Sequence, residues 1–133
     1  MKTIALDTSA LAAIALYEPD AASYAEVIAG HRALIGWPTV FELHMVLCNR
    51  VGPTEAHGFI AGILADTGTK AVSFDAVLFE AARQAFDSYG RRAGPRRLNF
   101  GDCLAYAVAK ANNIPLLFKG QDFLLTDIRP ALS

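Results

Sequence analysis

Cysteine is nearly absent from this 133-residue chain, which has Cys48 and Cys103, far apart and without metal-ligand spacing. That scarcity suits a reducing compartment, so a cytoplasmic location is expected and both thiols read as small core residues. His31, His44 and His57 likewise form no ligand pattern. Charge of either sign is sparse, with Asp, Glu, Lys and Arg making up 19% of the chain and a net charge of −1. No global basic field therefore advertises a nucleic-acid partner. Long apolar runs are missing as well. The run from Ala10 to Tyr17 falls far short of the roughly 20 residues of a membrane span. Asp7 interrupts the stretch that Met1 to Leu6 opens, where an export signal would still be lengthening. No membrane association is expected.

What is abundant is apolar surface. Hydrophobic residues reach 53%, more than one small core readily hides, so a protein partner or a homodimer is expected. The length suits one domain spanning residues 1–133.

The chain alternates short apolar strands with helices. Lys2 to Leu6 reads as a buried strand ending at Asp7, followed by a helix from Ala10 to Tyr17 that Thr8 and Ser9 can cap. Asp20 is placed to cap a second helix reaching about Ala29, and Ala33 to Ile35 can be a second strand. Pro38 suits the first turn of a helix carrying Glu42. Glu55 to Thr67 reads as a helix, Lys70 to Phe74 as a strand, and Asp75 to about Tyr89 as a helix. An arginine-rich loop, residues 90–97, precedes a helix opened by Asn99-Phe100-Gly101-Asp102. A strand from Pro115 to Phe118 and a short one near Thr126-Asp127-Ile128 complete the chain. Alternation of this kind predicts an α/β fold with a parallel sheet covered on both faces. Functional sites of such sheets lie outside the carboxyl ends of the strands.

Four acids occupy telling places. Asp7 ends the first strand and also suits a helix cap. Glu42 lies among Phe41, Leu43, Met45 and Val46, where an unpaired carboxylate is costly. Asp102 follows Gly101, where the backbone can turn sharply, and opens an apolar helix; a cap is again the plain alternative. Asp122 lies just beyond the last long strand, with Asp127 as a rival for its role. Clustered carboxylates repel one another unless a cation intervenes, and hard oxygen ligands select Mg²⁺ or Mn²⁺. Such a pocket can orient water for attack on a phosphodiester.

Leu6-Asp7-Thr8-Ser9-Ala10-Leu11, the isolated Glu42, Asn99-Phe100-Gly101-Asp102-Cys103 and Leu117-Phe118-Lys119-Gly120-Gln121-Asp122-Phe123 together resemble a PIN-domain ribonuclease, most closely the VapC-type toxins of toxin–antitoxin pairs. The resemblance runs through nearly the whole chain, in order. It implies a three-layer α/β/α sandwich with a mostly parallel central sheet. It further implies an endoribonuclease whose acidic quartet, here Asp7, Glu42, Asp102 and Asp122, works with Mg²⁺ or Mn²⁺. Asp7 and Asp102 match the direct metal ligands. Relatives often carry two adjacent acids before the phenylalanine, and Gln121 replaces the first of them here. An RNA substrate, a cognate antitoxin and a homodimer are also implied. Two other readings use the same residues: a receiver or dehalogenase-like phosphotransfer domain, which normally pairs acids after its first strand, and a non-catalytic module of the same fold.

Arg91, Arg92, Arg96 and Arg97 put four arginines into seven residues directly before Asp102. An anionic pocket that takes an anionic substrate needs cations nearby, so these four, with Lys119, are the expected contacts to an RNA backbone.

Overall fold

A strand with no polar alternation must be buried on both faces, and Thr3–Leu6 forms such a strand, β1, at the centre of the sheet. In the computed structural model, which describes residues 1–91 and 97–132, four strands lie side by side in the order β3-β2-β1-β4, all parallel. The others are β2 (Arg32–Gly36), β3 (Thr69–Val72) and β4 (Leu116–Leu117). The register pairs Ile4 with Ala33 and Ala5 with Leu116, which sets the end of β1, and with it Asp7, beside the end of β4.

Among the described residues six α-helices cover the sheet: α1 (Thr8–Ala15), α2 (Ala21–Ala29), α3 (Trp37–Val51), α4 (Pro53–Ala65), α5 (Ala76–Ala85) and α6 (Phe100–Asn112). Because strand side chains alternate, successive residues feed two separate cores. Ile4, Leu6, Ala33, Ile35 and Leu117 pack with α1, α3 and Ala56 of α4. Ala5 and Leu116 pack on the other side with α5 and α6, whose residues Cys103 and Ala105 to Ala109 are buried there. This is the expected layered sandwich, with every described strand parallel. No helix among the described residues is long and apolar enough to cross a membrane.

Two local expectations fail, and a third is met in a different form. The strand near Thr126 to Ile128 does not form. The Thr126 hydroxyl instead bonds Phe123 carbonyl at 2.7 Å and accepts the Ile128 N–H at 3.2 Å, so local bonds turn the chain. The strand-like pairing is displaced to a single bridge between Leu116 and Pro130. Asp20 does not cap α2 with its side chain, which pairs with Lys119 at 3.1 Å. The helix expected to reach Tyr89 widens after Ala85 into a π-helical segment, Phe86–Gly90, in which the Arg91 N–H reaches the Phe86 carbonyl at 3.1 Å.

Candidate active site

Asp7 is the N-cap of α1, held by a backbone bond to Leu117 carbonyl at 3.0 Å. Its Oδ2 accepts from the Ser9 N–H at 3.0 Å and the Ser9 hydroxyl at 2.5 Å. The Ser9 hydroxyl oxygen in turn accepts the Lys119 N–H at 2.9 Å, tying the loop after β4 to the start of α1. Cap and site are therefore one structure: the extended backbone that starts the helix leaves the carboxylate at the sheet's edge.

Asp102 is not the cap of α6. Asn99 is, and Asp102 is the third helical residue of a reciprocal capping box. The Asp102 N–H donates to Asn99 Oδ1 at 2.9 Å, while the Asn99 N–H donates to Asp102 Oδ2 at 3.0 Å. Glu42, on α3, accepts the Thr8 hydroxyl at 2.5 Å and presses against Gly101. Gly101 lies inside the helix with no positive φ, so its value is the missing Cβ rather than a sharp turn: a Cβ there would fall 1.8 Å from Glu42 Oε2. Asp7, Glu42, Asp102 and Asp122 thus share one region, since Asp7, Asp122 and Glu42 each act on the charge of Asp102.

Asp127 is occupied elsewhere. It accepts from the Tyr106 hydroxyl at 2.6 Å and pairs with Lys110 at 2.6 Å. Burial works against its charge, but Lys110 and Tyr106 outweigh it and hold the carboxyl below its ordinary range. Lys119 sends its ammonium to Glu18 at 2.8 Å and to Asp20 at 3.1 Å, away from the acids. Arg91 and Arg97 are exposed at the ends of the loop before α6; Arg92 and Arg96 lie outside the described residues.

The acids carry an electrostatic burden. Burial, with Glu42 adding to it, pushes the Asp7 carboxyl up to about 6. Burial again, then Asp7, Asp122 and Glu42, push Asp102 up to about 7. The bonds from Ser9 and from the Asn99 N–H favour the ionised forms, but burial outweighs them, so the native protein binds protons that the unfolded chain releases. Its stability therefore falls as pH rises from about 4, the unfolded value, through the native values, and the loss is complete above about pH 7. Without divalent metal, melting at about pH 5.5 should exceed that at about pH 7.5 by about 5 °C more in wild type than in a variant carrying Asp7→Asn and Asp102→Asn. The variant comparison removes surface acids such as Asp127, whose slope has the opposite sign. Equal slopes in the two proteins would defeat the assignment.

Hard oxygen donors under mutual repulsion suit a hard cation. Among the described residues no three His, Cys, Asp or Glu side chains form a group that could hold a metal together. Cys103, beside Asp102, is an unsuitable ligand: burial and then Asp102 push its thiol up to about 11.

Residues 4–128 match the PIN domain. The chain is 38% identical over 128 residues to ribonuclease VapC42 of Mycobacterium tuberculosis, covering 95% of this chain and 97% of that one. The chain belongs to the PIN-domain family of VapC ribonucleases. The fold agrees with VapC20 of Mycobacterium tuberculosis, a toxin described as cleaving the sarcin–ricin loop, at TM-score 0.75 and 21% identity over 96% of this chain and 99% of that one. It agrees also with VapBC2 from Rickettsia felis, solved on promoter DNA, at TM-score 0.70 and 15% identity over 96% of each chain. The phosphotransfer readings fall away with this membership.

Within this PIN domain, three further side chains hold the acids in place. Ser9 and Thr8 were read as caps, yet their hydroxyls bond the carboxylates of Asp7 and Glu42. Asn99 belongs to the motif before α6, and its Asn-x-x-Asp spacing is that of a capping box, the signal that discloses its role as the cap.

Proposed function

We propose that this VapC-type endoribonuclease is divalent-metal-dependent, that Asp7 and Asp102 hold the cation, and that Glu42 and Asp122 complete the acidic centre. One observation carries this reading. Two carboxyls are buried at the same sheet edge with values raised to about 6 and about 7, a state that a bound cation would relieve. Ser9 and the Asn99 N–H each fix one oxygen of their carboxylate, and Thr8 fixes Glu42, so the acids are oriented before any ligand arrives. A divalent cation supplies charge neutralisation and orients water and the scissile phosphate.

RNA is the proposed substrate, gripped along its backbone by Arg91 and Arg97 together with Arg92 and Arg96. Lys119 is a weaker contact, because it would first have to leave Glu18 and Asp20. We further propose that the protein works in the cytoplasm, forms a homodimer and is restrained by a cognate antitoxin. Support for a partner comes from α3, which leaves Trp37, Phe41 and Met45 exposed beside Glu42. Exposed apolar clusters of this kind mark interaction surfaces.

The test is to incubate purified protein with RNA, titrate Mg²⁺ or Mn²⁺, and map the new ends. Discrete internal cleavage that requires the cation and stops with EDTA is expected. Intact RNA at every metal concentration would return the chain to a non-catalytic module.

A further inference from the structure

A groove of about 740 Å³ lies between α5, the π-helical segment and the start of α6. Its lining combines two kinds of side chain that seldom meet without purpose: Phe79, Phe86 and Phe100 with Arg91 and Arg97. The three phenylalanines are 58%, 50% and 82% exposed, whereas Phe118 and Phe123 of the same chain are buried. Packing therefore gives no reason for leaving them in water. Arg83 also lines the groove, but it is held by Glu80 and Asp87. Arg91 and Arg97 form no ion pair with any described residue.

The groove reaches the acids through one residue. Asn99 lines it, and the Asn99 N–H holds the Asp102 carboxylate at 3.0 Å. Phe100 is next in the chain, and Gly101 after it packs against Glu42. A ligand lying on Phe100 would therefore lie two residues along the chain from Asp102.

We propose that this groove is a nucleobase-stacking site for single-stranded RNA, with Phe100 as the platform and Arg91 and Arg97 holding the flanking phosphates. The proposal rests on the ribonuclease reading and adds to it the residues that would hold a base beside the acids. Every base offers a flat π face, and exposed aromatics beside unpaired cations are how single strands are held without regard to sequence. The two free guanidinium groups favour a polyanion over an apolar peptide, which would cover the rings and leave those charges unmatched. A base inside a duplex cannot stack on a protein ring, so the groove selects unpaired nucleotides.

The test is made in the Asp7→Asn background without divalent metal, so that nothing is cleaved. Fluorescence anisotropy follows binding of a labelled mixed-sequence RNA of about 12 nucleotides, and of an abasic oligomer of equal length. Phe100→Ala should weaken RNA binding about tenfold, leave the abasic oligomer unaffected, and leave the salt dependence unchanged. Phe100→Trp should restore binding, which loss of a merely structural side chain would not allow. Arg97→Ala should weaken both oligomers and lower the salt slope by about 1. Undiminished RNA binding by Phe100→Ala, or equal losses on the two oligomers, would overturn the platform. Cleavage by the wild-type protein is scored separately, so a failed nuclease reading shows there and a failed stacking site shows here.

Discussion

Asp7→Asn and Asp102→Asn should each lower metal-dependent RNA cleavage about a thousandfold, the scale on which preorganised charge acts in a closed site. Both variants should stay folded. Asparagine caps a helix about as well as aspartate, and its side-chain oxygen can accept the same bonds from Ser9 or from the Asn99 N–H. Removing a buried charge whose carboxyl had been raised to about 6 relieves a penalty that is complete at neutral pH. One pKa unit corresponds to about 1.4 kcal/mol, so the metal-free Asp7 variant should gain up to about 2 kcal/mol. The two readouts therefore move in opposite directions: activity collapses while the melting temperature without metal rises. Added Mg²⁺ should stabilise the wild-type protein and leave each variant nearly unmoved, because binding to the native state alone raises its stability. Full turnover by either variant at ordinary Mg²⁺ would remove that residue from the metal site. A fall in melting temperature would show instead that its charge serves the fold.

Much of the layout behind this expectation was legible in the residues. Strand ends announce themselves where an apolar run stops at a polar side chain, and Asp7 after Ile4-Ala5-Leu6 does so without ambiguity. In a parallel sheet that position is also the functional edge. Asp102 stands out for a related reason, and its plain alternative, a cap, belongs to Asn99 three residues earlier, with Asp102 as the reciprocal partner. Glu42 was singled out for its apolar neighbours, yet Phe41 and Met45 are largely exposed, and the contacts that define Glu42 are with Thr8 and Gly101. No pattern along the chain shows such contacts, because they cross between elements: Thr8 to Glu42 spans 34 residues and Lys119 to Glu18 spans 101. The strand expected at Thr126 to Ile128 failed for a similar reason. Its β-branched residues suggest extension, but a threonine hydroxyl that bonds the backbone on both sides makes a turn instead.

Gly101→Ala should reduce cleavage about a hundredfold while leaving the fold intact. The substitution is favourable for the helix itself, where alanine exceeds glycine by about 1 kcal/mol. The new methyl group would meet Glu42, with Oε2 at 1.8 Å, Cδ at 2.6 Å and Oε1 at 2.9 Å from the ideal Cβ. No contact at those distances survives, and the element that yields is the carboxylate at the end of a flexible side chain rather than either helix. Glu42 must then swing aside and surrender the Thr8 hydroxyl bond of 2.5 Å. Melting should change by no more than a few degrees, since the gained propensity offsets the displaced side chain. The decisive comparison is a double-mutant cycle with Glu42→Ala. If Gly101 acts by keeping room for Glu42, alanine at position 101 costs nothing further once that carboxylate is gone, and the two losses are far from additive. Additive losses would mean that Gly101 serves α6 or the substrate directly, and that Glu42 is placed by Thr8 alone.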